Sequence, residues 1–303
     1  MPKTKIIGEE HRAHRDGADL FLWRKRKEGL EKPRGAVLLV HGSSMASTPT
    51  FDLQVKSRPG YSLMDHLAER GYDVWCVDCE GYGRSTKSRR VSCGIERGAG
   101  DVLAAANVIR RVSRKNALHL YGISSGALRA ALFAQKNPRR VKRLILDAFV
   151  WTGEGSPTLA ERSKRFRGVA STSRRPVNAE FIKSIFTRDH PGTAYRDVIS
   201  EYAEAICALD DTIPNGTYID MCERLPLVNP KKITASVMIT RGQFDGIAHL
   251  DDLVEFFKLL PNPDKQFVMM PGIAHASLQE KNHDIVYYLI ERFFSQPEPV
   301  FKG

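Results

Sequence analysis

Gly122-Ile123-Ser124-Ser125-Gly126 stands between the apolar run Leu118-His119-Leu120-Tyr121 and the helix-forming run Ala127-Leu128-Arg129-Ala130-Ala131-Leu132. It reads as a nucleophile elbow, in which a sharp strand-to-helix turn pushes a serine toward solvent while glycines two residues either side relieve the crowding. The glycines flank Ser124 and not Ser125, whose equivalent neighbours would be Ile123 and Ala127, with a stiff β-branched side chain in the tightest part of the turn. Taken alone, G-x-S-x-G is also the pattern of a small-residue turn between two core elements. Its meaning therefore rests on what surrounds it.

Short, nearly continuous apolar runs at 35–40, 74–77, 118–121, 144–146, 237–239 and 267–270 predict strands buried on both faces. Helical patterns at 63–70, 96–113, 127–136, 249–260 and 283–294 fill the gaps, so the fold class is α/β: a mostly parallel sheet flanked by helices. Asp16-Gly17 before Leu20-Phe21-Leu22-Trp23 predicts an initial hairpin. Between 149 and 232 the alternation breaks; Pro157, Pro176, Pro191 and Pro214 punctuate short helical segments and no comparable strand is visible. The expected organisation is a core of 1–148 and 233–303 with a helical cap, 149–232, inserted into it. There is no internal repeat and no low-complexity tract.

A chain of 303 residues buries roughly three quarters of its unfolded surface and needs no disulfides to hold it. Five cysteines in no regular spacing argue for a reducing compartment, and Cys76 and Cys79 form a C-x-x-C without the second pair that a tetrahedral zinc site needs. No metal and no cofactor is expected. Neither a signal peptide nor a membrane span is visible, so a cytoplasmic enzyme is the expectation. The 46 lysines and arginines exceed the 35 acidic residues, giving a formal charge of +11. The basic clusters at 24–27, 89–90, 110–111 and 139–143 lack the interleaved aromatics of a nucleic-acid platform. Each reads as a solvated face, and together they set up a potential that attracts an anionic small molecule. Neither nucleic acid nor membrane is expected as a partner.

Acyl transfer by a serine needs a base, an acid to orient that base, and donors for the oxyanion, each at the carboxyl end of a strand. His275 follows the 267–270 strand and Asp245 follows the 237–239 strand, giving the chain order Ser124, Asp245, His275. Asp147, at the end of the 144–146 strand, is the rival acid. Ser125 N–H is one expected oxyanion donor, and Ser43, in His41-Gly42-Ser43-Ser44-Met45 after the 35–40 strand, is the other, with Ser44 as its alternative. Ser44, Trp151, Arg162, Arg165 and Arg167 are candidates for substrate contact.

With these residues in place the chain resembles an α/β-hydrolase-fold serine hydrolase of the carboxylesterase type over residues 18–296. The residues that carry the resemblance are His41-Gly42, the run from Asp78 to Ser85, the elbow at Ser124, Asp245-Gly246 and Gly272 to His275. Dehalogenases and epoxide hydrolases of this fold resemble one another in carrying aspartate at the elbow, where this chain has serine. A weaker resemblance, resting on 43–62 and 71–85, is to bacterial hydrolases of aromatic monoesters such as alkyl phthalates. It implies an ester substrate bearing a free carboxylate. The rival expectations are C–C bond or lactone hydrolysis by the same residues, and a ligand sensor that keeps the pocket.

Overall fold

The structure is a computed structural model, and it describes residues 5–301. A hairpin opens the fold: β1 (Ile6–Arg15) and β2 (Ala18–Lys27) pair antiparallel across Asp16 and Gly17, both at positive φ. This is the turn geometry that matches strand twist and that Asp-Gly adopts at little cost. Then follow β3 (Ala36–Val40), α1 (Ser47–Phe51), α2 (Leu63–Glu69), β4 (Asp73–Val77), α3 (Ile95–Ser113), β5 (Leu118–Ile123), α4 (Ser125–Lys136) and β6 (Val141–Asp147). The next stretch carries α5 (Pro157–Phe166), β7 (Arg174–Pro176), α6 (Ala179–Arg188), α7 (Arg196–Cys207), β8 (Thr212–Pro214) and α8 (Gly216–Glu223). The chain closes with β9 (Ser236–Gly242), α9 (Leu250–Leu259), β10 (Lys265–Met270) and α10 (His283–Ser295).

Eight strands form one sheet in the order β1-β2-β4-β3-β5-β6-β9-β10, parallel from β4 to β10. Alternate residues feed two core layers. Leu38, Val40, Leu120, Leu144 and Leu146 pack with α3, α4 and α9, while Val37, Leu39, Tyr121 and Ile145 pack with α2 and α10. From β3 the chain goes first to β4 on one side and then to β5 on the other, so the strand order reverses between β3 and β5. Open parallel sheets place their ligand crevice at such a switch point, outside the carboxyl ends of the strands. Here that point brings the loop after Val40 against the turn after Ile123.

Two features differ from the sequence expectation. β10 is an edge strand: Lys265 to Val268 are only half-buried and Met269 is 40% exposed, because no neighbour covers its outer side. The stretch between β6 and β9 also contains a two-stranded ribbon, β7 with β8, paired through Arg174↔Pro214 and Pro176↔Thr212. Three-residue strands containing proline leave no period-2 signal, and proline is tolerated there because the ribbon consists only of edges. This stretch has an apolar layer of its own, in which Ile182, Phe186, Val198 and Tyr202 pack with Tyr61 and Tyr82 of the core loops.

The elbow glycines are required by close main-chain approach. A Cβ at Gly126 would lie 2.2 Å from the Val40 carbonyl oxygen and 2.5 Å from that of His41, and one at Gly122 would lie 2.4 Å from the Gly126 carbonyl oxygen. At Gly42 the nearest atom would be 3.5 Å away. Gly126→Ala and Gly122→Ala should each lose at least about 1–3 kcal/mol of stability in urea melts. Gly42→Ala should stay within about 1 kcal/mol of the parent protein.

Candidate active site

Ser124 sits at φ 57 and ψ −125, a strained conformation for a non-glycine residue. Its N–H donates to the Asp147 carbonyl (2.8 Å) and its carbonyl accepts from Ala127 N–H (2.9 Å), so the turn is pinned on both sides. It is the one residue from Tyr121 to Ala134 that is not buried. The helix begins at Ser125, two residues earlier than its apolar periodicity implies, since small polar residues at a helix start carry no hydrophobic signal.

His275 hangs from the loop after β10 and spans Ser124 and Asp245. Its Nε2 is 3.0 Å from Ser124 Oγ, and its Nδ1 is 2.9 and 3.0 Å from the two Asp245 carboxylate oxygens. With Nδ1–H donating to the carboxylate, Nε2 presents its lone pair to the serine hydroxyl. Asp245 is buried at the end of the turn after β9, where Oδ1 also accepts from the N–H groups of Ile247 (2.8 Å) and Ala248 (3.1 Å). Burial alone would raise its pKa. The adjacent His275 and these hydrogen bonds outweigh burial and hold it at about 2.

Asp147, the rival acid, belongs to another network. Its carboxylate accepts from the hydroxyls of Tyr121 (2.6 Å), Thr240 (2.7 Å) and Ser277, and burial pushes its pKa up. It touches the site through its main chain, by the bond to Ser124 N–H.

The loop after β3 is clamped from both sides. His41 is buried and neutral: Nδ1–H donates to the Gly42 carbonyl (2.7 Å) and Nε2 accepts from Cys79 N–H (3.0 Å). Burial and the neighbouring Arg129 drive its pKa down to about 3. The Ser43 carbonyl accepts from Tyr82 Oη–H (3.2 Å) and from Arg175 Nη2 (2.9 Å), and Ser44 Oγ lies 3.1 Å from Tyr218 Oη. Ser125, as the first residue of α4, has an N–H without an intrahelical acceptor.

Ser43, Ser44, Ser124 and His275 line an inner cavity together with Arg162, Arg188 and Tyr218. The last three residues and Ile185 also line an outer chamber, to which Arg165 and Arg175 contribute. Trp151 lies in neither chamber. Its indole N–H donates to the Val228 carbonyl (2.9 Å) and its ring packs on Phe256, so it belongs to the core beside α9. Arg167, the residue that ends α5, is exposed and lines neither chamber.

Arg175, Arg188 and Tyr218 are absent from the sequence candidates. Arg175 stands in a recognisably arginine-rich stretch, but the ribbon that aims it is invisible to periodicity, and Tyr218 has no sequence signal at all. The guanidinium groups of Arg162 and Arg175 lie over the Tyr218 ring, 4.3 and 3.7 Å from its centre. Burial opposes ionisation of the phenol, yet these cations outweigh it and bring its pKa down to about 7.

Elsewhere part of the positive charge is paired. Arg24 binds Glu9 and Asp73, Lys25 binds Asp52 and Asp65, Arg89 meets Glu80, and the buried Arg143 binds Asp264. The C-x-x-C thiols are buried in different layers, Cys76 with α2 and α10 and Cys79 with Tyr61 and Tyr82. Burial raises both, Cys79 to about 12. Among the described residues no helix is long and apolar enough to cross a membrane.

The sheet order, with an elbow serine, a histidine after the last strand and the switch-point cavity above them, defines the class: this is a hydrolase of the α/β-hydrolase fold. More narrowly, the chain belongs to the family described as serine aminopeptidase, S33, whose model matches residues 31–282. A 2-hydroxy-6-oxononadienedioate/2-hydroxy-6-oxononatrienedioate hydrolase of Pseudomonas putida is 24% identical over 238 residues, covering 75% of this chain and 77% of the relative. Among solved structures, the 2-hydroxy-6-oxo-6-phenylhexa-2,4-dienoate hydrolase of Rhodococcus sp. strain RHA1 aligns with a TM-score of 0.69 at 15% identity, over 95% of this chain and 99% of that one. A thermophilic esterase from Thermogutta terrifontis aligns with a TM-score of 0.64 at 20% identity, over 95% and 100%. At these identities the structural likenesses show the fold.

The depressed pKa of Asp245 makes a signed prediction. A carboxyl at about 2 in the folded chain, against 3.8 ordinarily, contributes stability that is present above about pH 4 and lost as pH falls through 2. The parent protein should therefore exceed Asp245→Asn by roughly 2 kcal/mol at pH 6, with the gap closing toward pH 2 in denaturant titrations.

Proposed function

We propose that this protein is a cofactor-independent serine hydrolase of carboxylic esters. The observation that carries this reading is the hydrogen-bonded chain from Ser124 Oγ through His275 to Asp245. His275 takes the Ser124 proton as the alkoxide attacks the ester carbonyl, and Asp245 holds the ring in the required tautomer and stabilises the imidazolium. The N–H groups of Ser125 and Ser43, or of Ser44 in place of Ser43, receive the oxyanion. The imidazolium then protonates the departing alcohol, and water, deprotonated by the same ring, releases the acid from Ser124. The stretch 149–232 acts as a cap whose arginines select the substrate. The five cysteines are unpaired, which supports a cytoplasmic setting.

Arg162 and Arg165 favour a small-molecule ester with a free carboxylate. Arg162 faces both chambers, with its guanidinium held by the Tyr218 ring and not by a carboxylate. A second reading, C–C bond or lactone hydrolysis by the same residues, is favoured by the names of the Pseudomonas putida and Rhodococcus hydrolases. It predicts slow turnover of simple p-nitrophenyl esters and fast turnover of a vinylogous diketone or a lactone.

Ser124→Ala should lower kcat by about 10⁴-fold or more while the melting temperature is retained. A fluorophosphonate should label the parent protein and not this variant; parent-like hydrolysis by pure Ser124→Ala would overturn the assignment. The charge requirement is read separately: at low ionic strength, kcat/KM for a monoanionic ester should exceed that of its neutral analogue by about tenfold, and Arg162→Gln should narrow the gap.

A further inference from the structure

Five residues beyond His275, Glu280 is fully buried in the turn that leads into α10. One carboxylate oxygen accepts the N–H of Ala274 at 2.6 Å and the other accepts the N–H of Ala276 at 3.1 Å. A single planar group thus grips the main chain immediately before and immediately after the histidine. The rest of the loop is anchored elsewhere: Ile273 carbonyl to Phe244 N–H (2.9 Å), Ser277 Oγ to Asp147, and Gln279 Nε2 to the Thr50 carbonyl (2.8 Å). Among the described residues, Glu280 alone accepts the N–H groups of both neighbours of His275.

We propose that Glu280 is a positioning residue whose carboxylate, by accepting the N–H groups of the residues on either side of His275, sets the reach of the imidazole between Asp245 and Ser124. This rests on the assignment of His275 as the base. Among the described residues no lysine or arginine forms an ion pair with Glu280; the titratable groups that face it are Asp245 and His275 from the site, and His283, whose Nδ1 bonds the Glu280 carbonyl (2.9 Å). Burial pushes its pKa up to about 7, despite the two N–H donors and the nearby His275.

Because the folded value lies above the ordinary 4.5, the group favours folding most below about pH 4.5, and that contribution is lost as pH rises through 7. A carboxylate here is therefore a stability liability at neutral and alkaline pH, which is the pattern of a group retained for function. Its ionised form presents two acceptors to two donors. Protonation turns one oxygen toward donor character and loosens one flank of His275, so on the acid side the reaction gains a dependence on the ionisation of Glu280.

The test compares the full-length parent protein with Glu280→Gln and Glu280→Asp between pH 5.5 and 9, on an ester the parent turns over, with melting temperatures at each pH. Glu280→Gln directs an amide NH₂ at one peptide N–H. Its kcat should fall about tenfold on the plateau with KM within about twofold, and its acid limb should be shallower than the parent's by one ionisation. Glu280→Asp keeps the charge but shortens the span; it should lose kcat and retain the steeper limb, and it carries the test if the glutamine variant does not fold. Parent-like kcat and an unchanged acid limb in the folded variants would overturn the proposal, as would losses of kcat, KM and melting temperature that move together. Ser124→Ala separates the two levels: if it stays active the assignment of the site falls, whereas if it is dead and Glu280→Gln is parent-like, only the positioning role falls.

Discussion

The structure depends on one close approach of main chain to main chain. Gly126 passes so near the carbonyls of Val40 and His41 that no side-chain atom fits between them. That contact joins the two central strands at the point where the strand order reverses, and it does so just beyond their carboxyl ends. It forces Ser124 into its strained turn, presents the start of α4 to the cavity, and brings the loop from His41 to Met45 alongside. A bulkier residue at 122 or 126 would separate these parts and leave each locally intact. The elbow is therefore a packing requirement before it is a chemical device.

The stretch between β6 and β9 is tied to that contact by polar bonds. Arg175 reaches from β7 to the Ser43 carbonyl, Arg174 reaches the Gly81 carbonyl (3.1 Å), and Asp210 accepts from Gly83 N–H (2.9 Å). These bonds join the ribbon to the loops after β3 and β4. The arginine at the Ser43 carbonyl is the same one that lies over the Tyr218 ring, so the wall of the cavity and the loop behind it share one anchor. Charge in this region serves structure and recognition together, which is why net charge alone predicts so little about it.

The legible and illegible parts of the sequence divide along physical lines. Buried parallel strands write themselves as apolar runs, and helices α3, α9 and α10 fall within one or two residues of their periodic patterns, because burial on a regular lattice leaves a regular trace. The edge strand β10 misleads by the same rule, since its apolar residues continue past the point where a neighbour covers them. Ser124, His275 and Asp245 are readable because each stands where a strand ends. Tyr218, Arg188 and Arg175 are not: their meeting is fixed by tertiary packing of short elements, and nothing local distinguishes Tyr218 from an ordinary helical tyrosine. Trp151 shows the converse, a large aromatic at a suggestive position whose indole is used by the core.

Three buried carboxylates surround the histidine loop, and their environments separate them more than their positions do. Asp147 faces only hydroxyls, which serve a carboxyl group in either protonation state, and burial raises its pKa. Asp245 faces an imidazole and two peptide N–H groups, and is held ionised near 2. Glu280 has two peptide N–H groups but no imidazole bonded to its carboxylate, and comes to rest near 7. Hydroxyls, an imidazole with two peptides, and peptides alone thus give one chemical group three different proton affinities within a single loop system. Of the three, only Asp245 combines lasting charge with a bond to His275, so the partners that the fold assigns to each carboxylate decide which one can stabilise an imidazolium.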